Sequence, residues 1–264
     1  MSDGQFDLFA GSGEADEPPA AACSRPPPIV SAELDDAALL AAILTSGVAD
    51  GPTLAKEAGR RKLVAAIPVL EDYCRRFAGF GITHVLPEQI AAFETLAAIG
   101  GADAAQSVAR IITRSWVQGP TLTAAVAAAA RLRSRLSADL VATLMRHPEP
   151  SVRADACRLV RSAGGTIDTL IELLNDLHRE VRIEAGCALA RLGRIEARPL
   201  LRGELLRAPT PQVIEAVALI ADDDCMVALG KIARGSPALA GAARDALASI
   251  DHPRAARILA GLAR

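Results

Sequence analysis

The sequence predicts an all-α solenoid of stacked helical hairpins, and three observations carry that expectation. One is a repeat. From Ser151 the chain reads SVRADACRLVRSAGGTIDTLIELLNDLHRE and then VRIEAGCALARLGRIEARPLLRGELLRAPT, so that Val152-Arg153 lines up with Val181-Arg182 and the Ser162–Gly165 turn with Leu192–Arg194. The second is composition: 51% of residues are hydrophobic but only 3% aromatic, so the core must be Ala, Leu, Ile and Val on closely approaching helices, with few runs suited to strands. The third is rhythm, with apolar residues recurring at steps of three and four between Gly, Pro or polar links, the period of an amphipathic helix. A hairpin of about 30 residues cannot bury its own apolar faces, so each copy stacks on the next.

Taken in order, residues 1–30 stand apart. Beyond Phe9 they are dominated by Gly, Ala, Pro and acids, too little apolar surface to offset the entropy of ordering. They are expected to form a disordered arm, and residues 31–264 the solenoid. Leu34–Leu44 is predicted as a short helix capped by Ser31, with Glu33, Asp35 and Asp36 near its positive end. Gly47–Pro52 breaks the chain before helices at Leu54–Arg61 and Val64–Phe77, the latter tolerating Pro68 near its start and ending at Gly79 and Gly81. Pairs follow: Gln89–Ile99 with Ala104–Ile112, Leu122–Leu132 with Ala138–Met145, Ser151–Ser162 with Ile167–Leu174, and Glu180–Leu192 with Ala197–Leu206. Gln212–Ile220 with Cys225–Ala233, and Leu239–Ile250 with Pro253–Ala263, complete the array. Pro199 and Pro253 suit first turns of second helices, and Gly100-Gly101, Gly164-Gly165 and Gly193 suit turns that require positive φ.

From about Leu54 onward the chain resembles the HEAT-like repeat superfamily, particularly the short-repeat form shared with phycobilisome lyase subunits. VRIEAGCALARLGRIEARPLL is similar to that family's helix-turn-Pro-helix unit, and VRADACRLV to its first helix. The resemblance implies a right-handed superhelix whose second helices line a concave surface that binds protein and sometimes nucleic acid. This sequence departs from the pattern in lacking Asp just before Val181 and in its links at Thr113–Thr121 and Asp222–Asp224.

The formal charge of -2 conceals an asymmetry, since residues 1–36 hold eight acids and one base and the body is mildly basic. Five scattered cysteines, Cys23, Cys74, Cys157, Cys187 and Cys225, form no C-x-x-C pair. They read as packed thiols in a reducing compartment. No apolar stretch reaches membrane-spanning length, so a cytoplasmic chain without a membrane partner is expected. His84, His147, His178 and His252 are dispersed, Asp222-Asp223-Asp224 lacks calcium-loop spacing, and no phosphate-binding Gly loop occurs. No catalytic residue, metal or cofactor is therefore expected. Tyr73 and Trp116 read as packing residues.

Arginines are the more informative charges. Arg131, Arg133 and Arg135 cluster at a helix end, and Arg153, Arg182, Arg191, Arg194 and Arg198 recur through the clearest repeats. These five are candidates for the concave face, facing phosphates of DNA or an acidic partner. At the other end, Gln5-Phe6-Asp7-Leu8-Phe9 resembles the peptide by which bacterial replication and repair proteins engage the DNA sliding clamp. Gln5, Asp7, Leu8 and Phe9 match and Phe6 departs from the usual aliphatic residue. The resemblance implies that Gln5 hydrogen-bonds in a small subsite while Leu8 and Phe9 fill an apolar pocket. The function expected is a non-enzymatic adaptor, tethered to the sliding clamp in DNA replication or repair and holding a protein or DNA on its curve. The alternatives are a general protein scaffold, a bilin lyase or lyase chaperone, and a HEAT-like DNA glycosylase.

Overall fold

The computed structural model describes residues 31–47, 49–162 and 164–262. Among them are fifteen α-helices, three short 3-10 turns and no strand. The helices are α1 (Asp36–Thr45), α2 (Gly51–Arg60), α3 (Ala66–Arg76), α4 (Pro87–Ile99), α5 (Gly101–Thr113), α6 (Leu122–Leu132), α7 (Ala138–Met145) and α8 (Pro150–Leu159). They continue as α9 (Ile167–Leu173), α10 (Arg179–Arg191), α11 (Arg198–Arg207), α12 (Pro211–Leu219), α13 (Asp223–Gly235), α14 (Ala240–Ser249) and α15 (Pro253–Leu262).

Local chemistry explains the boundaries. Asp35, and not Ser31, caps α1: its Oδ1 accepts from the Ala38 N–H at 2.7 Å, while Ser31 opens a separate 3-10 turn. The β-region backbone of Asp35 lets a carboxylate reach that orphan donor. Ser137, Thr210 and Asp222 cap α7, α12 and α13 in the same way. Proline opens α2, α4, α8, α11 and α12, where the first-turn nitrogen has no acceptor to serve. Between α4 and α5, Gly100 and Gly101 take φ of 76° and 83°, which fits the predicted turn.

Even-numbered helices form one layer and odd-numbered helices the other. In the even layer each member from α2 to α14 packs on the next without interruption. The odd layer is tight only at its ends, α1–α3–α5 and α13–α15; from α5 to α13 its neighbours touch lightly or scarcely at all. A two-layer array bends toward its crowded side, so the even helices line the inner, concave face. This corrects the expectation that second helices line it, because α4, α6, α8, α10, α12 and α14 are the first helices of their pairs. Small residues make the crowding feasible: Ala125, Ala128, Ala129, Ala154, Ala156, Ala185, Ala188 and Ala216 are all buried on even helices.

Ion pairs join neighbouring hairpins through their solvent-facing edges. Arg110 of α5 meets Glu71 of α3 at 2.6 Å, Arg202 of α11 meets Asp224 of α13 at 2.8 Å, and Arg254 of α15 meets Asp223 of α13 at 2.6 Å. The three consecutive aspartates thus serve three purposes, since Asp222 is the cap of α13. The one long link, between α3 and α4, is docked on the turn before α6. The Leu86 N–H donates to buried Thr121 Oγ1 at 2.9 Å, and Gly119 (φ 58°) lies so close that a Cβ there would sit 2.3 Å from the Gly81 carbonyl oxygen.

Candidate functional site

The concave face is floored by α8, α10, α12 and α14, and a polar strut crosses it. Arg158 on α8 donates to Asp155 at 2.7 Å and to Glu184 on α10 at 2.5 Å, with Glu180 at 3.7 Å. Gln212 on α12 donates to the other oxygen of Glu184 at 2.8 Å. Three successive inner helices are therefore linked through one carboxylate, whose side chain is only 3% exposed. A charge so enclosed is tolerable because every approach to it is a donor. The hydrogen bond to Glu184 pushes the Arg158 guanidinium above its ordinary value, while burial holds Asp155 above the usual carboxylate range despite Arg158 beside it.

Beyond the strut, α10, α12 and α14 enclose an open groove of about 640 Å³. Its floor is Ala216, Ala218, Ala242 and Ala246, with exposed Leu219 on one wall; Arg191, Gln212, Glu215 and Asp245 stand around it. An apolar floor with a polar rim is the composition of a protein-docking surface. Cys187 borders this groove but is buried, and burial raises its thiol to about 12, as it does that of Cys157. Cys225 is raised to about 11 for the same reason. These thiols pack; at neutral pH they are not thiolates.

The five arginines singled out from the repeats have distinct places. Arg153 donates to the carbonyls of His147 and Pro148 and pairs with Asp176 at 2.9 Å. Arg182, its repeat counterpart, donates to the carbonyls of Asp176 and Leu177, at the same steps of six and five residues back. Both clamp the link that precedes their own helix. Burial pushes Asp176 up, but Arg153 and the His178 N–H outweigh it, so its carboxyl lies below the usual range. Arg194 pairs with Glu196 at 2.5 Å, and Arg198 donates to the Ile220 carbonyl at 2.7 Å. Arg191 alone of the five lines the concave groove, with one nitrogen on the Cys157 carbonyl at 3.2 Å. Gln5, Asp7, Leu8 and Phe9 lie outside the described residues.

Sequence reasoning missed Arg158, Glu184 and Gln212. The clamps fix the repeat offset at 29 residues, which makes Asp155 the counterpart of Glu184, an acid two residues after each Arg153 or Arg182. That V-R-x-acid signal was present and unused. The same offset pairs Cys157 with Gly186, where a Cβ would lie 3.2 Å from the Leu200 and Leu201 side chains of α11. Tyr73 is buried and Trp116 partly so, as packing residues, with Arg76 over the Tyr73 ring at 5.1 Å and Arg114 over Trp116 at 5.0 Å.

Stacked two-helix units whose links are clamped by a repeated arginine point to one repeat type. Residues 137–221 match the family model of HEAT repeats. Among solved structures, the fold is similar to the complex of CpcE and CpcF of phycocyanin lyase from Nostoc sp. PCC7120, with 16% identity, a TM-score of 0.56, and 95% of this chain covering 100% of that chain. Human deoxyhypusine hydroxylase in complex with glycerol aligns more loosely, at 21% identity and a TM-score of 0.39 over 82% of this chain and 84% of that one. Comparison with curated protein sequences gives no match. The described residues thus form a HEAT-like array, and none of their helices is long and apolar enough to cross a membrane.

Proposed function

We propose that this chain is a protein-binding scaffold that works without chemistry of its own, holding a partner along the concave face of α10, α12 and α14. The observation that carries the reading is the groove of about 640 Å³, apolar at its floor and polar at its rim, on the crowded side of the array. The similarity of fold to the chains of a phycocyanin lyase complex supports a role of the lyase-subunit or lyase-chaperone kind, in which the solenoid presents a client protein. The test is capture of partners from the native cell extract by the full chain and by Ala218→Arg and Leu219→Asp variants, whose side chains would obstruct the groove. The same partner recovered by the wild type and lost from both variants, with thermal unfolding unchanged, supports the scaffold. A partner retained by both variants overturns the groove as its seat. Incubating the captured complex with a bilin and reading absorbance separates a lyase-related role from general scaffolding.

The reading as a sliding-clamp adaptor rests on Gln5, Asp7, Leu8 and Phe9 alone. A peptide of residues 1–12 is expected to bind purified bacterial clamp, and Leu8→Ala with Phe9→Ala to abolish it. Binding that survives the double substitution rejects the mode.

A further inference from the structure

The arginines of this protein divide into two populations. Some are matched by acids, as Arg110, Arg153, Arg158, Arg179, Arg202 and Arg254 are. Others have none among the described residues, and while Arg76, Arg114, Arg182 and Arg207 of that group lie elsewhere in the array, five gather on one rim of the concave face. Arg131, Arg133 and Arg135 at the end of α6, Arg161 just after α8 and Arg191 at the end of α10 have no carboxylate partner within ion-pair distance among the described residues.

These five line two adjoining clefts. One, of about 780 Å³, runs between α5 and the end of α6 and takes Arg131, Arg133 and Arg135; the other, of about 410 Å³, lies among the ends of α6, α8 and α10 and takes Arg133, Arg161 and Arg191. Arg133 belongs to both. Its backbone is left-handed (φ 54°), and its carbonyl accepts one Arg161 nitrogen at 2.5 Å. Arg191 likewise spends one nitrogen on the Cys157 carbonyl. Each guanidinium has five N–H donors in a fixed fork, so both keep most of theirs for something outside the chain. Between them lie aliphatic side chains, Ala109, Leu132, Val160 and Leu192, with Asp103 and Gln106 along the α5 edge of the larger cleft and no aromatic ring in either.

We propose that this rim binds a polypeptide segment in which carboxylates alternate with aliphatic side chains. The unpaired guanidiniums match carboxylates bidentately, and the aliphatic floor takes the side chains between them. A nucleic acid fits less well. No ring stands in either cleft to stack a base. The inference rests on the scaffold reading and adds the chemistry of the partner.

The test uses the full chain and a short fluorescein-labelled peptide of alternating glutamate and leucine, read by anisotropy. A glutamine-for-glutamate peptide and a single-stranded oligonucleotide serve as competitors. The triple variant Arg131→Gln, Arg133→Gln, Arg135→Gln removes three side chains that make no hydrogen bond or ion pair within the described residues. It should therefore unfold at the wild-type temperature. The acidic peptide is expected to bind the wild type in a salt-sensitive manner, the triple variant to bind about tenfold more weakly, and the glutamine peptide not to compete. Equal binding by wild type and triple variant overturns the proposal, as does displacement of the peptide by the oligonucleotide at lower concentration than by unlabelled peptide. Leu219→Asp should leave peptide binding intact. If the rim fails while partner capture still depends on Leu219, the scaffold stands and only this inference falls.

Discussion

Arg153 and Arg182 show how one dipeptide can be conspicuous and still be misread for its role. Each gathers the two carbonyls of the link behind it, and Arg153 also neutralises Asp176. Arg153→Gln strands a buried carboxylate and is expected to cost about 1.5–3 kcal/mol in urea unfolding. Arg194→Gln, whose pair with Glu196 is exposed, should cost less than about 1 kcal/mol. The repeat of Val-Arg was legible; its purpose was not, because the carboxylate that engages Arg153 is 23 residues away and sequence carries no distance. A pH effect belongs at this scale as well. Hydrogen bonds from Arg60 and then Arg61 hold Glu57 down at about 2, below its ordinary 4.5. A depressed carboxylate contributes its full stability above the ordinary value and loses it as pH falls through the folded one. Glu57→Gln should therefore lower the urea midpoint at neutral pH, with the gap to wild type closing between about pH 4.5 and 2.

At the scale of elements the sequence was most informative, for a physical reason. Helix ends are written in residues that change backbone options: Pro at the starts of α4, α8, α11 and α12, Gly at the turns after α4 and α10. What could not be read was which layer lies inside, since crowding is a property of neighbours. Gly186 gives a test of that crowding. Gly186→Val would press on Leu200 and Leu201 and should cost about 1–3 kcal/mol, whereas Gly203→Ala on α11 meets nothing and should be neutral or stabilising by about 0.5–1 kcal/mol. Parallel thermal and urea unfolding of the two variants would check the contrast. The α3–α4 link is a second case. Gly119→Ala would strain a positive φ and collide with the Gly81 carbonyl, and is expected to expose the link to limited proteolysis near Phe80, a residue already 65% exposed.

For the whole molecule, stability is the sum of each hairpin and its contact with the next. Ending the chain after Ser236 would remove α14 and α15 and uncover the faces of α12 and α13 that pack on them. The remainder should keep its helical signal per residue by circular dichroism while its thermal midpoint falls and it binds a hydrophobic dye. The candidate site was only partly legible. Arg191 was marked from its repeat, but the groove is made by three helices about 30 residues apart in sequence, a juxtaposition that appears only once the layers are stacked.

The slackness of the outer layer between α5 and α13 has a mechanical result. A beam with a continuous inner flange and an interrupted outer one flexes by opening and closing the interruptions, while the flange serves as the pivot line. Here the interruptions lie behind α6, α8 and α10, the helices that carry the unmatched arginines. For the proposed scaffold, such bending would adjust the curve by changing widths at its back and leave the Arg158–Glu184–Gln212 linkage across the front unbroken.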